Sequence, residues 1–247
     1  MKMDKIYLFG RLAPSWFALR SILMTGLFTM TMASIELFAQ VDVTATGGTA
    51  MAPYTTLKEA FDAINAGTHT GTITIAISGN TTETATAALN GSGTGSASYT
   101  SITISPSGGG TRTISGAIAA GNPLISLDGA DNVTIDGLNS GGNALVLSNT
   151  TVSSTSGTST IRFQNDATNN VITKCSILGS STMTTTTNGG NIWFGAGAVA
   201  TGNDNNTISF CEIGPAGANL PTKAIYGNGT TTNTTVYNSG FHIFFCN

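Results

Sequence analysis

The nine residues Asn169-Asn170-Val171-Ile172-Thr173-Lys174-Cys175-Ser176-Ile177 contain the pattern that decides the fold. After two asparagines, apolar and polar side chains alternate over short stretches, which is typical of strands with one buried face. The same order of residue types returns as Asn205-Asn206-Thr207-Ile208-Ser209-Phe210-Cys211-Glu212-Ile213. An earlier copy lies at residues 131–138, and a looser one at residues 233–241. The chain therefore contains an internal repeat.

A shorter apolar motif precedes each copy of the repeat. The four motifs are Ile125-Ser126-Leu127, Ile161-Arg162-Phe163, Ile192-Trp193-Phe194 and Ala224-Ile225-Tyr226. When Asn132, Asn170 and Asn206 are taken as equivalent, the first two repeats span 38 and 36 residues, and the last is shorter. A constant motif with a variable period predicts loops of different length attached to a repeated set of strands.

One repeat cannot bury its apolar side chains alone, because it supplies only two or three short strands. Stacked repeats bury them if each forms one coil of a right-handed parallel β-helix, with Ile, Val, Phe and Cys inside. The expected fold is therefore an all-β solenoid. A β-propeller is the alternative, but its antiparallel blades would show hairpin turns and regularly spaced aromatic residues.

A short helix is predicted just before the first strands. Thr56 and Glu59 form a capping box, and Gly67 supplies a carboxyl-terminal stop. Four apolar residues between them fall on one helical stripe: Leu57, Ala60, Phe61 and Ile64. The alternating strand Thr72-Ile73-Thr74-Ile75-Ala76-Ile77 follows. We expect this helix to cap the amino-terminal end of the β-helix.

The repeats and the amino-terminal cap resemble right-handed parallel β-helix proteins of the pectate-lyase-like superfamily, over roughly residues 41–247. The richness in Gly (31 residues) and Thr (42 residues) is particularly similar to exported surface and adhesin-type β-helix proteins of gram-negative bacteria. This resemblance implies a secreted or cell-surface location and a polysaccharide or cell-surface glycan as partner. For the polysaccharide lyases of the group it implies calcium-binding carboxylates beside a basic residue, but no lyase or hydrolase motif maps onto this chain.

Residues 1–39 are interpreted as a signal peptide. Basic residues precede an uncharged apolar run at residues 21–33, which is shorter than the about 20 residues of a membrane span. Cleavage is expected after Ala39, with Ala33 as the second candidate, and an uncleaved anchor is the alternative. Residues 40–247 are expected to form the β-helix, with no membrane span after cleavage.

The charge of residues 40–247 limits the classes of partner. This part of the chain has five Lys and Arg residues against ten Asp and Glu residues. So few cations argue against nucleic-acid binding, which requires clustered positive charge. The whole sequence is 40 % hydrophobic and only 9 % charged, which argues against disorder.

The sequence ends at Phe244-Phe245-Cys246-Asn247, within the pattern of a coil and without a polar cap. An uncapped coil would expose strand edges and core side chains. We therefore expect the β-helix to be truncated at its carboxyl-terminal end, as a fragment of a longer protein.

Two groups of side chains are candidate ligand sites. Asp128, Asp131 and Asp136 surround a turn, where their carboxylates would offer hard oxygen ligands to calcium. A solvated turn without a metal is the other interpretation. Trp193 and Tyr226 occupy equivalent outward positions of consecutive repeats, and their rings would stack on a glycan. Isolated exposed aromatic residues are the alternative there.

The cysteines give a further prediction about stacking. Cys175 and Cys211 occupy the same motif position, 36 residues apart, so stacked buried thiols in neighbouring coils are expected. The spacing leaves open whether they form a disulfide. Cys246 is predicted not to align with them, because Ser239 takes that place in the last copy.

The sequence favours a noncatalytic, exported β-helix that acts as a structural or adhesive surface module and binds glycans. Its support is the richness in Gly, Thr and Asn, the low charge, and the lack of a recognisable catalytic cluster. We assign no catalytic residue and no cofactor other than the calcium considered above. The alternative is a polysaccharide lyase or glycoside hydrolase whose active coils lie partly beyond Asn247.

Overall fold

The computed structural model describes residues 39–196, 201–227 and 237–247. Those residues form one helix, α1 (Leu57–Asn65), and eighteen strands. The strands are β1 (Val41–Gly48), β2 (Met51–Tyr54), β3 (His69–Ile77), β4 (Thr81–Thr82), β5 (Ala87–Asn90), β6 (Tyr99–Pro106), β7 (Thr111–Gly116), β8 (Pro123–Asp128), β9 (Val133–Asp136), β10 (Ala144–Asn149), β11 (Ser159–Gln164), β12 (Val171–Thr173), β13 (Cys175–Gly179), β14 (Gly190–Phe194), β15 (Thr207–Ser209), β16 (Glu212–Pro215), β17 (Ile225–Gly227) and β18 (His242–Phe244).

The strands form three sheets in which hydrogen-bonded neighbours lie one coil apart. Sheet A has the order β18-β15-β12-β9-β6-β3-β1-β2, sheet B the order β16-β13-β10-β7-β4, and sheet C the order β17-β14-β11-β8-β5. The chain visits sheets A, B and C in turn through about five coils, and β18 begins a sixth. Pairings between the described coils are parallel. The predicted parallel β-helix is confirmed, and the propeller alternative is wrong.

The core is built from ladders of identical or similar side chains. In sheet A, Ile104, Ile135, Ile172 and Ile208 are successive register partners, and all four are fully buried. In sheet C, the rings of Phe163 and Phe194 stack with their centroids 4.6 Å apart. The alternation of apolar and polar residues thus fixes which side of each strand faces inward.

The amino-terminal end of the solenoid is closed by β1, β2 and α1. Strand β1 pairs antiparallel with both β2 and β3. The Thr56 side chain accepts a hydrogen bond from the Glu59 backbone N–H at 3.1 Å, and Leu57, Ala60, Phe61 and Ile64 are buried. The predicted capping helix is therefore confirmed, ending at Asn65 shortly before Gly67, which has a φ of 76°.

The asparagine corner between sheets C and A differs from the predicted alignment by one residue. Thr134 is the register partner of Val171, so Asn132 is equivalent to Asn169, not to Asn170. Asn132, Asn169 and Asn205 all adopt left-handed backbone conformations, with φ of 58°, 56° and 55°. In the next coil Gly240 takes this place with a φ of 64°. The prediction that Asn132 is equivalent in position to Asn170 and Asn206 is thus wrong.

The second asparagine of each pair points into the core instead. The Asn170 Oδ1 atom accepts a hydrogen bond from the Val133 N–H, and the Asn206 Oδ1 atom accepts one from the Asn170 N–H. These bonds join residues 37 and 36 positions apart, and the register between β15 and β18 pairs residues 35 apart. The repeat is therefore more regular than the sequence alignment predicts. Asn233, which belongs to the looser copy, lies outside the described residues.

The three cysteines occupy one interior corner in successive coils. Cys175 and Cys211 are each 2 % exposed, which confirms the predicted stacked buried thiols. Cys246 takes the equivalent position in the next coil, because Ser209 is the register partner of Phe244. The predicted exclusion of Cys246 is wrong, since the last coil aligns through β18 and not through Ser239. All three side chains are free thiols in the structure.

The predicted signal peptide falls on residues of which all but Ala39 lie outside the described part of the chain. Its cleavage site and the uncleaved-anchor alternative stay predictions. Within the described ranges, no helix is long and apolar enough to cross a membrane.

Candidate functional site

The outer face of sheet C carries a continuous row of polar and aromatic side chains. Strands β8, β11, β14 and β17 are parallel and in register there. One position on each strand points away from the core and aligns along the solenoid axis: Ser126, which is buried, Arg162, Trp193 and Tyr226. The apolar residues before and after this position face the core, so the alternation of each strand sets the outward direction. Trp193 and Tyr226 are register partners, as the sequence predicts.

Two cations contact the aromatic rings of this row. The guanidinium carbon of Arg162 lies 5.6 Å from the centre of the Trp193 ring, and the Lys223 Nζ atom lies 3.7 Å from the centre of the Tyr226 ring. Both distances are within the range of cation–π attraction. Lys223 is held in place by a hydrogen bond from its Nζ atom to the Thr187 carbonyl. We call Arg162, Trp193, Lys223 and Tyr226 the sheet C strip.

Arg162 is a partly buried member of the sheet C strip. Burial lowers the pKa of its guanidinium, and the nearby Asp128 carboxylate opposes that effect by favouring the charged form. Its Nε atom is buried and has no hydrogen-bond partner among the described residues. A buried donor without a partner is costly, so this atom lowers the stability of the fold.

The three candidate calcium ligands are each engaged by neighbouring groups. The Asp128 carboxylate accepts a hydrogen bond from the Asn165 side chain, and Asp131 accepts two from Thr168, at 2.7 and 2.8 Å. Asp136 accepts one from the Leu138 N–H at 2.8 Å and lies 3.6 Å from the Lys174 ammonium. Over the described ranges, no three His, Cys, Asp or Glu side chains form a group that could hold a metal ion. Calcium binding at this turn stays a prediction.

The cations are the part of the site that sequence reasoning misses. Arg162 is visible as an outward residue one repeat after Asp128, but its position over Trp193 follows from coil stacking. Lys223 precedes Tyr226 by three residues and lies outside any motif. Only the path of the connection between β16 and β17 brings its ammonium group over the ring.

Comparison with known proteins gives no relative: no protein-family model, no curated protein and no solved structure matches the chain. The parallel β-helix itself rests on the sheets described above. The resemblance to the pectate-lyase-like superfamily and to surface adhesins rests on sequence pattern.

Proposed function

We propose that this chain is a noncatalytic module of an exported surface protein and that the sheet C strip binds a glycan. The observation that carries the proposal is the alignment of Trp193 with Tyr226 in neighbouring coils, each with a cation over its ring. Aromatic rings supply apolar area with little loss of side-chain freedom, while cations bind carboxylate or sulfate groups. The strip follows the solenoid axis, so an extended chain fits it better than a compact ligand.

The charge distribution supports a glycan that carries acidic groups. Residues 40–247 have only five Lys and Arg residues, and two of them belong to the sheet C strip. Each covers one face of an aromatic ring, which leaves the ring edges and the cationic groups to meet a ligand.

A polysaccharide lyase is the second candidate function. The specific observation in its favour is that Arg162, a basic group whose pKa is lowered by burial, lies close to the Asp128 carboxylate. A general base must also reach a sugar proton in the bound substrate. This candidate predicts a new absorbance of unsaturated sugar ends when the protein is incubated with an acidic polysaccharide.

Affinity electrophoresis of the purified protein through gels that contain neutral, carboxylated or sulfated polysaccharide tests the proposal. We expect acidic polymers to retard the wild-type protein and neutral polymers to have little effect. Trp193→Ala and the double variant Arg162→Gln/Lys223→Gln should each lose about tenfold in affinity, which corresponds to about 1.4 kcal/mol. Circular dichroism verifies that both variants keep their strands.

Two variants outside the strip are matched controls. Arg112→Gln removes a cation from β7 in sheet B, and Phe210→Ala removes an exposed aromatic ring from the corner before β16. Both should bind like wild type. Equal retardation of wild type and strip variants, or no retardation by any polymer, contradicts the proposal. Release of unsaturated sugars that is lost in Arg162→Gln replaces it with the lyase alternative.

A further inference from the structure

The cysteine ladder is a cluster of nucleophilic side chains that the proposed glycan site does not use. Each cysteine follows a residue in the left-handed conformation: Lys174, Phe210 and Phe245, with φ of 55°, 54° and 53°. Each thiol also lies over a carbonyl of the same isoleucine ladder. Sγ-to-oxygen distances are 3.8 Å from Cys175 to Ile135, 3.7 Å from Cys211 to Ile172 and 3.7 Å from Cys246 to Ile208. The three side chains therefore share one orientation, one coil apart.

The backbones of Cys211 and Cys246 are joined directly by sheet-type hydrogen bonds. The Asn247 N–H donates to the Cys211 carbonyl at 3.0 Å, and the Ile213 N–H donates to the Asn247 carbonyl at 2.8 Å. Neighbouring strands lie about 4.8 Å apart. That spacing falls inside the range of about 4.4–6.8 Å between the Cα atoms of a disulfide.

The thiols of this pair also interact with each other. Burial raises the pKa of Cys211 to about 11, and contact with the Cys246 side chain contributes to the rise. Cys246 is half-buried, whereas Cys175 is 2 % exposed and burial raises its pKa well above the ordinary value. Of the two possible partners of Cys211, Cys246 is thus the one that an oxidant reaches.

We propose that Cys211 and Cys246 form a disulfide in the exported protein and that Cys175 stays a thiol. The oxidant is a dithiol–disulfide exchange protein or a small-molecule disulfide of an oxidising compartment. The Cys246 thiolate attacks one sulfur of that disulfide and releases its other sulfur as a thiolate. The Cys211 thiolate then attacks the Cys246 sulfur and releases the second. Two electrons and the two cysteine protons pass to the oxidant, so that the exchange protein leaves as a dithiol and the small-molecule disulfide as two thiols.

This bond would fasten the start of the sixth coil to the fifth. Strand β18 and its neighbour Phe245 expose apolar side chains, with Ile243 46 % and Phe245 74 % exposed. A covalent link beside them restricts opening of that edge. The proposal rests on export of the chain and not on glycan binding, so the two can fail separately.

Differential alkylation of protein exported to a bacterial periplasm tests the pairing. The protein is unfolded in denaturant and blocked with iodoacetamide without reductant, then digested with trypsin, which cleaves after Lys174 and Lys223. We expect peptide 175–223 to be linked to peptide 224–247, with Cys175 alkylated and the link cleaved by reductant. Cys175→Ser should keep the link, and Cys211→Ser should lose it.

Three results overturn the proposal. The first is alkylation of all three cysteines before reduction. The second is a disulfide between Cys175 and Cys211 within peptide 175–223. The third is a link between the two peptides that is found only in dimers on non-reducing gels. The peptide map of the wild-type protein decides among these outcomes even if a serine variant fails to fold.

Discussion

The Glu83 carboxylate accepts a hydrogen bond from the backbone N–H of Leu57, at 2.9 Å, and so caps helix α1 from the first coil of the solenoid. Its second oxygen accepts the Lys58 N–H at 3.0 Å. Glu83 is 1 % exposed, and the Thr81 hydroxyl donates to the same carboxylate. A negative group at a helix amino terminus satisfies free N–H donors and interacts favourably with the helix dipole. This contact ties the cap to the coils.

Glu83→Gln should therefore lower the free energy of unfolding by about 1.5–3 kcal/mol, the range for hydrogen bonds to charged groups. The amide keeps the shape of the side chain but loses its charge and one acceptor. Urea denaturation followed by circular dichroism measures the change. Glu212→Gln, at an exposed position on β16, is the control and should change the value by less than about 0.5 kcal/mol. Equal effects of both substitutions would show that the cap does not depend on Glu83.

Substitution of Asn206 should also lower the free energy of unfolding strongly, because its side chain completes the backbone hydrogen bonding of the previous coil. Its Oδ1 atom accepts from the Asn170 N–H at 3.0 Å, and its Nδ2 atom donates to the Ala167 carbonyl at 2.9 Å. Asn206→Ala leaves both buried groups without partners, at a cost of about 1–3 kcal/mol for each. Denaturant unfolding should show this loss, while Thr103→Ala on the exposed face of β6 should stay near wild type.

At the first asparagine of each pair, substitution should change stability through the backbone conformation and not through lost hydrogen bonds. Asn169 is at the corner and has a φ of 56°, where a β-branched side chain is strained and glycine is not. Asn169→Val should lower the free energy of unfolding by about 1–2 kcal/mol, whereas Asn169→Gly should lower it far less. The test compares the loss in free energy of unfolding of the two variants, measured by denaturant unfolding. A glycine variant as unstable as the valine variant would mean that the Asn169 side chain, and not its backbone, holds the corner.

The contrast between the two asparagines shows which features of the fold can be predicted from the sequence and which cannot. Alternation of apolar residues predicts the strands and their inward faces, because burial of one face has a period of two residues. The pair Asn169-Asn170 marks a corner, but its two residues differ in backbone conformation and in burial. Sequence similarity alone does not show which of them aligns with Asn132. A separate error, the alignment of the last copy through Ser239 instead of β18, moved Cys246 out of its ladder.

Less of the candidate site than of the fold can be predicted from the sequence, because only some of its residues belong to the repeat. Outward positions of consecutive strands follow from the repeat, so Trp193 and Tyr226 can be paired from sequence. Lys223 lies in a connection whose length and path are not part of the repeat. Its placement over the Tyr226 ring depends on the Thr187 carbonyl, which is 36 residues away in the chain. Contacts of that kind are not encoded in the repeat.

Glu59 gives a prediction about acid stability. Hydrogen bonds from the Thr55 hydroxyl and N–H lower the pKa of its carboxyl below its ordinary value. A carboxyl whose pKa is lowered by folding stabilises the native state above its unfolded-state pKa, and this stabilisation disappears as pH falls through the folded value. The group is largely exposed, so the effect is small. Wild type should exceed Glu59→Gln in stability near pH 7, and the difference should vanish at low pH. A difference that persists below the folded pKa would point to packing and not to charge.

Salt dependence is the last test, and it separates the two components of the sheet C strip. If Arg162 and Lys223 bind acidic groups of a glycan, affinity should fall as sodium chloride is raised, because exposed charges are screened over about 8 Å at physiological ionic strength. The double variant Arg162→Gln/Lys223→Gln should bind more weakly at low salt and should respond less to added salt. Trp193→Ala should bind more weakly at every salt concentration while keeping the wild-type slope, since it retains both cations. A slope that is unchanged in the double variant would assign the charge-dependent binding to another face of the β-helix.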